Sequence, residues 1–231
     1  VLAGRLALSQ VDAALVRRAI RSADDRVRLG QLLSAGHADL VDTPSGEWWL
    51  VCLAMRPYGG YYYTLGRETF LVPVCWEEGW PVVRPGTGRV EFTYPVPNLP
   101  EQTWPAPPTC DNFDSSTLAW QWNSLRTRPD EFMSLSERPG YLRLRLRPQR
   151  MSEQSNPSFV GRRQQHIHFT AQTKLDFTPQ NENECAGLAL SQNNDFHFLF
   201  VVTQEAETIM RLIKRAHGVE EVLAEGPVRA G

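Results

Sequence analysis

The chain has 231 residues, 42% of them apolar and 22% charged, with 16 Gly and 17 Pro. That balance excludes disordered and fibrous classes, and a formal charge of −2 offers no electrostatic footprint for nucleic acid or an anionic membrane as partner. No run of about 18 apolar residues is present to cross a bilayer as a helix.

Residues 1–35 are rich in Ala, Leu and Arg and lack aromatic residues. Val11, Leu15, Ala19 and Ile20 recur at helical spacing after a Ser9 cap, which predicts a short helix in this leader. Residues 1–10 have neither the basic start nor the cleavage site of a signal peptide, which points to a bacterial cytoplasmic protein. The missing initiator Met points to an N-terminus that is not the native one.

From residue 36 to 94 the texture is strand and turn. Residues 37–41 and 47–55 flank a Thr43-Pro44-Ser45-Gly46 turn and predict a hairpin. The run 47–55 is apolar on both alternating faces, as a strand buried between two layers would be. A third strand is expected over 68–76, ended by Glu77-Glu78-Gly79. Residues 95–112 hold six prolines, at 95, 97, 100, 105, 107 and 108, which rules out a helix or a central strand and predicts a stiff linker at a domain boundary.

Beyond the linker, over 113–231, strand patterns return. Tyr141-Leu142-Arg143-Leu144-Arg145-Leu146-Arg147 alternates strictly and predicts a half-buried antiparallel strand with its leucines inward. Residues 165–171, 196–202 and 208–214 are further expected strands. Short strands at this spacing indicate a β-sandwich, so the fold class is all-β apart from the leader. Cys52, Cys75, Cys110 and Cys185 are far apart with no C-x-x-C pair, so they are expected as buried or neutral thiols rather than disulfides or zinc ligands.

The strings Gly36-His37-Ala38-Asp39-Leu40-Val41, Gly46-Glu47-Trp48-Trp49, Arg56-Pro57 and Leu65-Gly66-Arg67-Glu68-Thr69 resemble glycoside hydrolase family 43, β-xylosidase and α-arabinofuranosidase type. In the second half, Arg138-Pro139-Gly140-Tyr141-Leu142-Arg143-Leu144, Val160-Gly161-Arg162-Arg163 and Glu184-Cys185-Ala186-Gly187-Leu188 resemble the concanavalin-A-like domain appended to such enzymes. The resemblance implies the last portion of a five-bladed β-propeller followed by a jelly-roll sandwich. Residues 36–94 would supply little more than one blade. A family sandwich continues past the position of Gly231, so a truncated sandwich is expected.

The resemblance also implies inverting hydrolysis of xylosides or arabinofuranosides by a general base and a general acid. In the family those carboxylates precede the Gly-His-Ala-Asp string, and no residue before Gly36 resembles them. The chain is therefore expected to hold no catalytic residue, to be inactive alone and to be a fragment of an enzyme acting on xylo- and arabino-oligosaccharides. By the same resemblance His37 and Arg67 bind substrate at the terminal-sugar subsite. Asp39 and Glu68 match no catalytic position. Trp48, Trp49, Trp76 and Trp80 are expected in the blade core rather than as sugar platforms.

No cofactor or metal is called for, although the intact family fold can carry calcium and the intact enzyme can be a homo-oligomer. His166 and His168 share a strand face but lack a third ligand. Asp111, Asn112 and Asp114 are the oxygen donors a structural calcium in a lectin-like sandwich would use. The competing readings are a non-catalytic carbohydrate-binding or accessory sandwich, which needs an exposed aromatic platform that the alternating Trp120 and Trp122 do not announce, and a gene remnant.

Overall fold

Runs of alternating side chains punctuated by Gly- and Pro-containing turns become strands throughout the computed structural model, which describes residues 33–57, 62–83, 90 and 93–228. The helix expected in the leader lies outside these residues. Among the described residues there are twelve strands, one 3-10 turn (Pro129–Glu131) and no α-helix. They divide into two units between Ala106 and Pro107, with Gln165–Ile167 grouped with the first. The proline-rich stretch contributes no strand, and residues 101–110 are exposed throughout.

The first unit is a four-stranded antiparallel meander of β1 (Leu33–Asp42), β2 (Trp48–Met55), β3 (Arg67–Glu77) and β4 (Trp80–Val83), paired in that order. Strand β1 thus begins inside the stretch assigned to the leader. Pairing of Leu40 with Leu50, Leu50 with Val72, and Val74 with Val83 carries one apolar row across all four strands. Ala54 and Val72 on this face are fully buried, and Val90, Tyr94, Trp48 and Phe70 close over it. The opposite face of β2 is only half-buried except at Trp49, so the strand is not enclosed equally on both sides.

Turn chemistry sets the connections. Thr43 accepts the Glu47 amide on its hydroxyl at 3.1 Å and Gly46 bends back at φ +85. Glu78 and Gly79, both left-handed, close a two-residue hairpin that continues β3 into β4, an element the sequence reading ends too early. Pro73 sits one residue before the β3–β4 ladder begins, where its missing N–H removes no bond to β4.

The second unit is built on a four-stranded antiparallel sheet in the order β12-β11-β10-β9, from β9 (Cys185–Ser191), β10 (His197–Gln204), β11 (Thr208–Ala216) and β12 (Val219–Pro227). His197, Val201 and Thr203 point to its buried face. Two short ladders accompany it, β5 (Asn123–Ser124) with β8 (Val160–Gly161) and β6 (Met133–Ser134) with β7 (Arg143–Leu144).

Here the strand expected over 141–147 shrinks to the two residues of β7, and its leucines are not the buried set. Leu144 and Leu146 are 39% and 46% exposed, whereas Arg147 lays its guanidinium 4.5 Å from the Phe132 ring and donates to Ser158 Oγ at 3.1 Å. Phe132, 2% exposed, is thus covered by an arginine stem and cation–π contact rather than by leucine.

Residues 165–171 form no strand and are exposed except for Ile167. Alternation supplied the pattern there, but no neighbouring strand pairs with it. Of the thiols only Cys52 is buried, which pushes its pKa up; Cys75 lies on the outward face of β3, Cys110 in the proline-rich stretch and Cys185 at the start of an edge strand.

Candidate functional site

The two residues singled out for sugar binding lie on different strands of the first sheet, His37 within β1 and Arg67 at the start of β3, with β2 between them. Along β1, Leu33 pairs with Met55, Gly36 with Leu53 and Asp39 with Val51, so β1 gains one residue on β2 in each step. Ala38 and Leu40 are buried on one face and Asp39 is exposed on the other, so the additional residue of the second bulge is His37. His37 has φ +50, and bulging frees its exposed side chain from the strict alternation of the strand.

Arg67 opens β3 directly after a turn in which the Gly66 amide donates to the Tyr63 carbonyl at 2.9 Å, with Gly66 at φ +71. Its partner across the ladder is Met55, which places Arg67 on the face that also carries Leu53, Val51, Thr69 and Asp39. His37 and Arg67 are separated by β2 and by two to three residues along the strands. Those spacings put their backbones about 13 Å apart.

What leaves Arg67 available is its neighbour. Glu68 faces the other side of the sheet, opposite the fully buried Ala54. Both of its oxygens are taken by Arg56, at 2.8 Å from Nε and 2.7 Å from Nη2, a planar two-pronged pair. This carboxylate raises the pKa of the Arg56 guanidinium further. The Arg67 side chain therefore has no ion pair among the described residues. Because Asp39 and Glu68 project from opposite faces, they cannot act as a catalytic carboxylate pair on one bond.

The tryptophans divide. Trp49 is buried, and Trp48 is half-buried with an edge-on contact to Trp76 at 5.1 Å between ring centres. Trp76 and Trp80 are exposed, against the expectation of core positions, because β3 extends beyond the apolar row at their end of the sheet. In the second unit Trp120 is wholly exposed, whereas Trp122 donates its indole N–H to Asp111 Oδ2 at 2.7 Å and leans on Phe113.

Of the oxygen donors considered for calcium, Asp111 and Asn112 have hydrogen-bond partners within their own segment. Asp111 Oδ1 accepts the Phe113 amide at 2.8 Å, and Asn112 Oδ1 accepts the Cys110 thiol at 3.5 Å. His166 and His168 lie outside any strand, and no cluster of three His, Cys, Asp or Glu suited to a metal occurs among the described residues. Sequence reading missed Arg56, whose role shows only once β2 and β3 are paired twelve residues apart in sequence.

Comparison with known proteins gives the site its context. Residues 110–231 match the family described as beta xylosidase C-terminal concanavalin A-like domain, and residues 21–81 match glycosyl hydrolases family 43. The second match starts within the stretch 1–35, where reading the sequence finds no resemblance.

A non-reducing end alpha-L-arabinofuranosidase of Bacteroides ovatus is 42% identical over 78% of the chain and 34% of its own length. A xylosidase/arabinosidase of Butyrivibrio fibrisolvens is 42% identical over 76% of the chain and 34% of its own length. Among solved structures, a xylan beta-1,4-xylosidase from Bacillus halodurans superposes with a TM-score of 0.78 at 35% identity, covering 88% of this chain and 40% of that one. The chain thus spans about a third of the length of the curated relatives it matches.

Proposed function

We infer the function from the premise that this chain belongs to the family 43 glycosyl hydrolases that carry a β-xylosidase C-terminal concanavalin A-like domain. The whole protein hydrolyses xylosides or arabinofuranosides of hemicellulose, with inversion, by paired carboxylates that lie outside the described site. This chain contributes His37 and Arg67 to the subsite for the terminal sugar.

The observation that carries this reading is the unpaired Arg67 guanidinium, presented by a tight turn while its neighbouring carboxylate is bound to Arg56. A planar fork with fixed donors suits two vicinal sugar hydroxyls, and its permanent charge holds a nearby carboxylate ionised for use as a base. His37 offers a ring nitrogen to a hydroxyl from across β2. General acid–base catalysis needs both carboxylates within hydrogen-bond reach of the glycosidic bond, so the chain alone is expected to bind sugars without cleaving them.

Titrating the purified chain with D-xylose and L-arabinose by NMR tests this. Saturable shifts at His37 and its neighbours are expected, and Arg67→Ala should weaken binding by about tenfold, the equivalent of one lost charge-assisted hydrogen bond. Aryl β-xyloside and arabinofuranoside should turn over no faster than a matched blank. Sugar affinity unchanged in Arg67→Ala, or turnover abolished by His37→Ala, would overturn the reading.

A further inference from the structure

A cavity opens on the outward face of the second sheet. There Leu188 of β9 and Phe200 of β10 stand directly opposite each other in the ladder. Phe200 is 46% exposed, because the alternation that buries Val201 turns its neighbour outward. Ala171, Gln172, Thr173 and Lys174 run beside this pair without forming a strand, and the six residues line an open cavity of about 530 Å3. That size lies within the ~300–1,000 Å3 of small-molecule sites.

The lining divides by chemistry. Phe200 and Leu188 supply an apolar floor, Gln172 an amide donor and acceptor, Thr173 a hydroxyl and Lys174 an ammonium. The Thr173 hydroxyl donates to the Lys174 carbonyl at 3.4 Å, which leaves its oxygen free to accept. The chain has only two lysines, and they differ in their surroundings. Lys214 stands opposite Glu221 across the β11–β12 ladder. Lys174 has no ion pair among the described residues, since the nearby Asp176 gives its carboxylate to Arg138.

An acidic sugar answers all three parts of this lining. A pyranose ring lays a face of C–H bonds on an aromatic side chain while its hydroxyls exchange hydrogen bonds with amide and hydroxyl groups. A carboxylate at C5 then reaches the ammonium. A neutral pyranose leaves the ammonium unused. An aromatic acid leaves Gln172 and Thr173 to water, and the apolar surface of a second copy does both.

We propose that this cavity binds a hexuronic acid residue of a polysaccharide, with Phe200 under the ring and Lys174 on the carboxylate. The choice of polymer, a hemicellulose bearing uronic acid, rests on the function inferred above; the site itself does not. Such a site tethers the enzyme to acidic polymer and takes no part in hydrolysis.

NMR titration of the isotope-labelled chain with methyl glucuronide, methyl glucoside and benzoate tests this. The glucuronide should shift residues 171–174, Leu188 and Phe200 and bind about fivefold tighter than the glucoside, the upper end for a surface ion pair. That preference should shrink in about 0.5 M NaCl. Lys174→Gln should erase it while leaving the glucoside and the xylose shifts at His37 unchanged. Lys174 is exposed and outside any strand, so this replacement leaves the sheet intact. Phe200→Ala should weaken both glycosides. In native gels, glucuronoxylan should retard the chain more than an uncharged arabinoxylan does, and Lys174→Gln should remove the difference.

A glucuronide bound no tighter than the glucoside, a preference that survives Lys174→Gln, or benzoate bound more tightly at the same residues would overturn the proposal. If xylose leaves His37 unmoved while the glucuronide behaves as described, the terminal-sugar reading fails and the acidic-sugar site stands.

Discussion

His37 occupies a backbone conformation that residues with a Cβ adopt only when their surroundings impose it. At φ +50 inside a strand it stands in the left-handed region, which costs a non-glycine residue of order 1 kcal/mol or more. The bulge on β1 holds it there, since β2 supplies one residue opposite two of β1 between Gly36 and Asp39. A glycine would relax this strain, but it would also remove the imidazole. His37→Gly is therefore expected to raise stability by about 1 kcal/mol in urea unfolding while weakening xylose binding. Loss of stability in that variant would mean that the histidine ring, not the backbone, holds the bulge. The resemblance of Gly36-His37-Ala38-Asp39 to a family string located this residue; neither its exposure nor its strained φ follows from spacing, because a bulge depends on the partner strand.

Among the strands, what was legible was local. The strands β1 to β3 were readable because one face of each carries an apolar row and the first turn is rich in Thr, Pro, Ser and Gly. β4 and β12 were not, since β4 is four residues long and β12 is an exposed, glutamate-bearing edge with no alternation to detect. β12 forms because His217 and Gly218, both left-handed, close a two-residue hairpin onto β11, and Arg211 and Arg215 pair with Glu225 and Glu220 across it. A dipeptide ending in Gly between two such runs was the overlooked signal.

β9 adds a constraint of a different kind. A Cβ on Gly187 would lie 2.0 Å from the Phe200 carbonyl oxygen and 2.8 Å from Val201 Cα, both backbone atoms of the neighbouring strand that cannot rotate aside. Gly187→Ala should cost about 2 kcal/mol, whereas Gly226→Ala, where the same construction meets nothing within 4 Å, should be within about 0.5 kcal/mol of neutral. Thermal unfolding of the two variants separates close strand approach from a general intolerance of side chains at the glycines of this sheet.

For the chain as a whole, the decisive quantity is apolar surface left without cover. In the first unit the apolar row of the sheet is closed over by Val90, Tyr94, Trp48 and Phe70. The second unit has His197, Val201 and Thr203 buried on one face of β10, but residues of the alternate set look outward: Phe198 and Phe200 are 41% and 46% exposed, and Leu190 beside them is 52% exposed. Cross-strand pairing makes these neighbours, Phe198 with Leu190 and Phe200 with Leu188, so the face is continuous. Residues 171–174 border it at Leu188 and Phe200. Half-exposed aromatic side chains in a contiguous patch of a few hundred Å2 drive association in water. The isolated chain is therefore expected to self-associate with rising concentration in sedimentation velocity and to bind a hydrophobic dye. Phe198→Glu combined with Phe200→Thr should suppress both. The new carboxylate stands directly opposite Lys214 on β11, where an opposite-charge pair stabilises the ladder, and threonine is itself a β-branched residue that a strand favours. A chain that sediments as a single monomer at every concentration and melts in one sharp transition would show that this face is not the source of association.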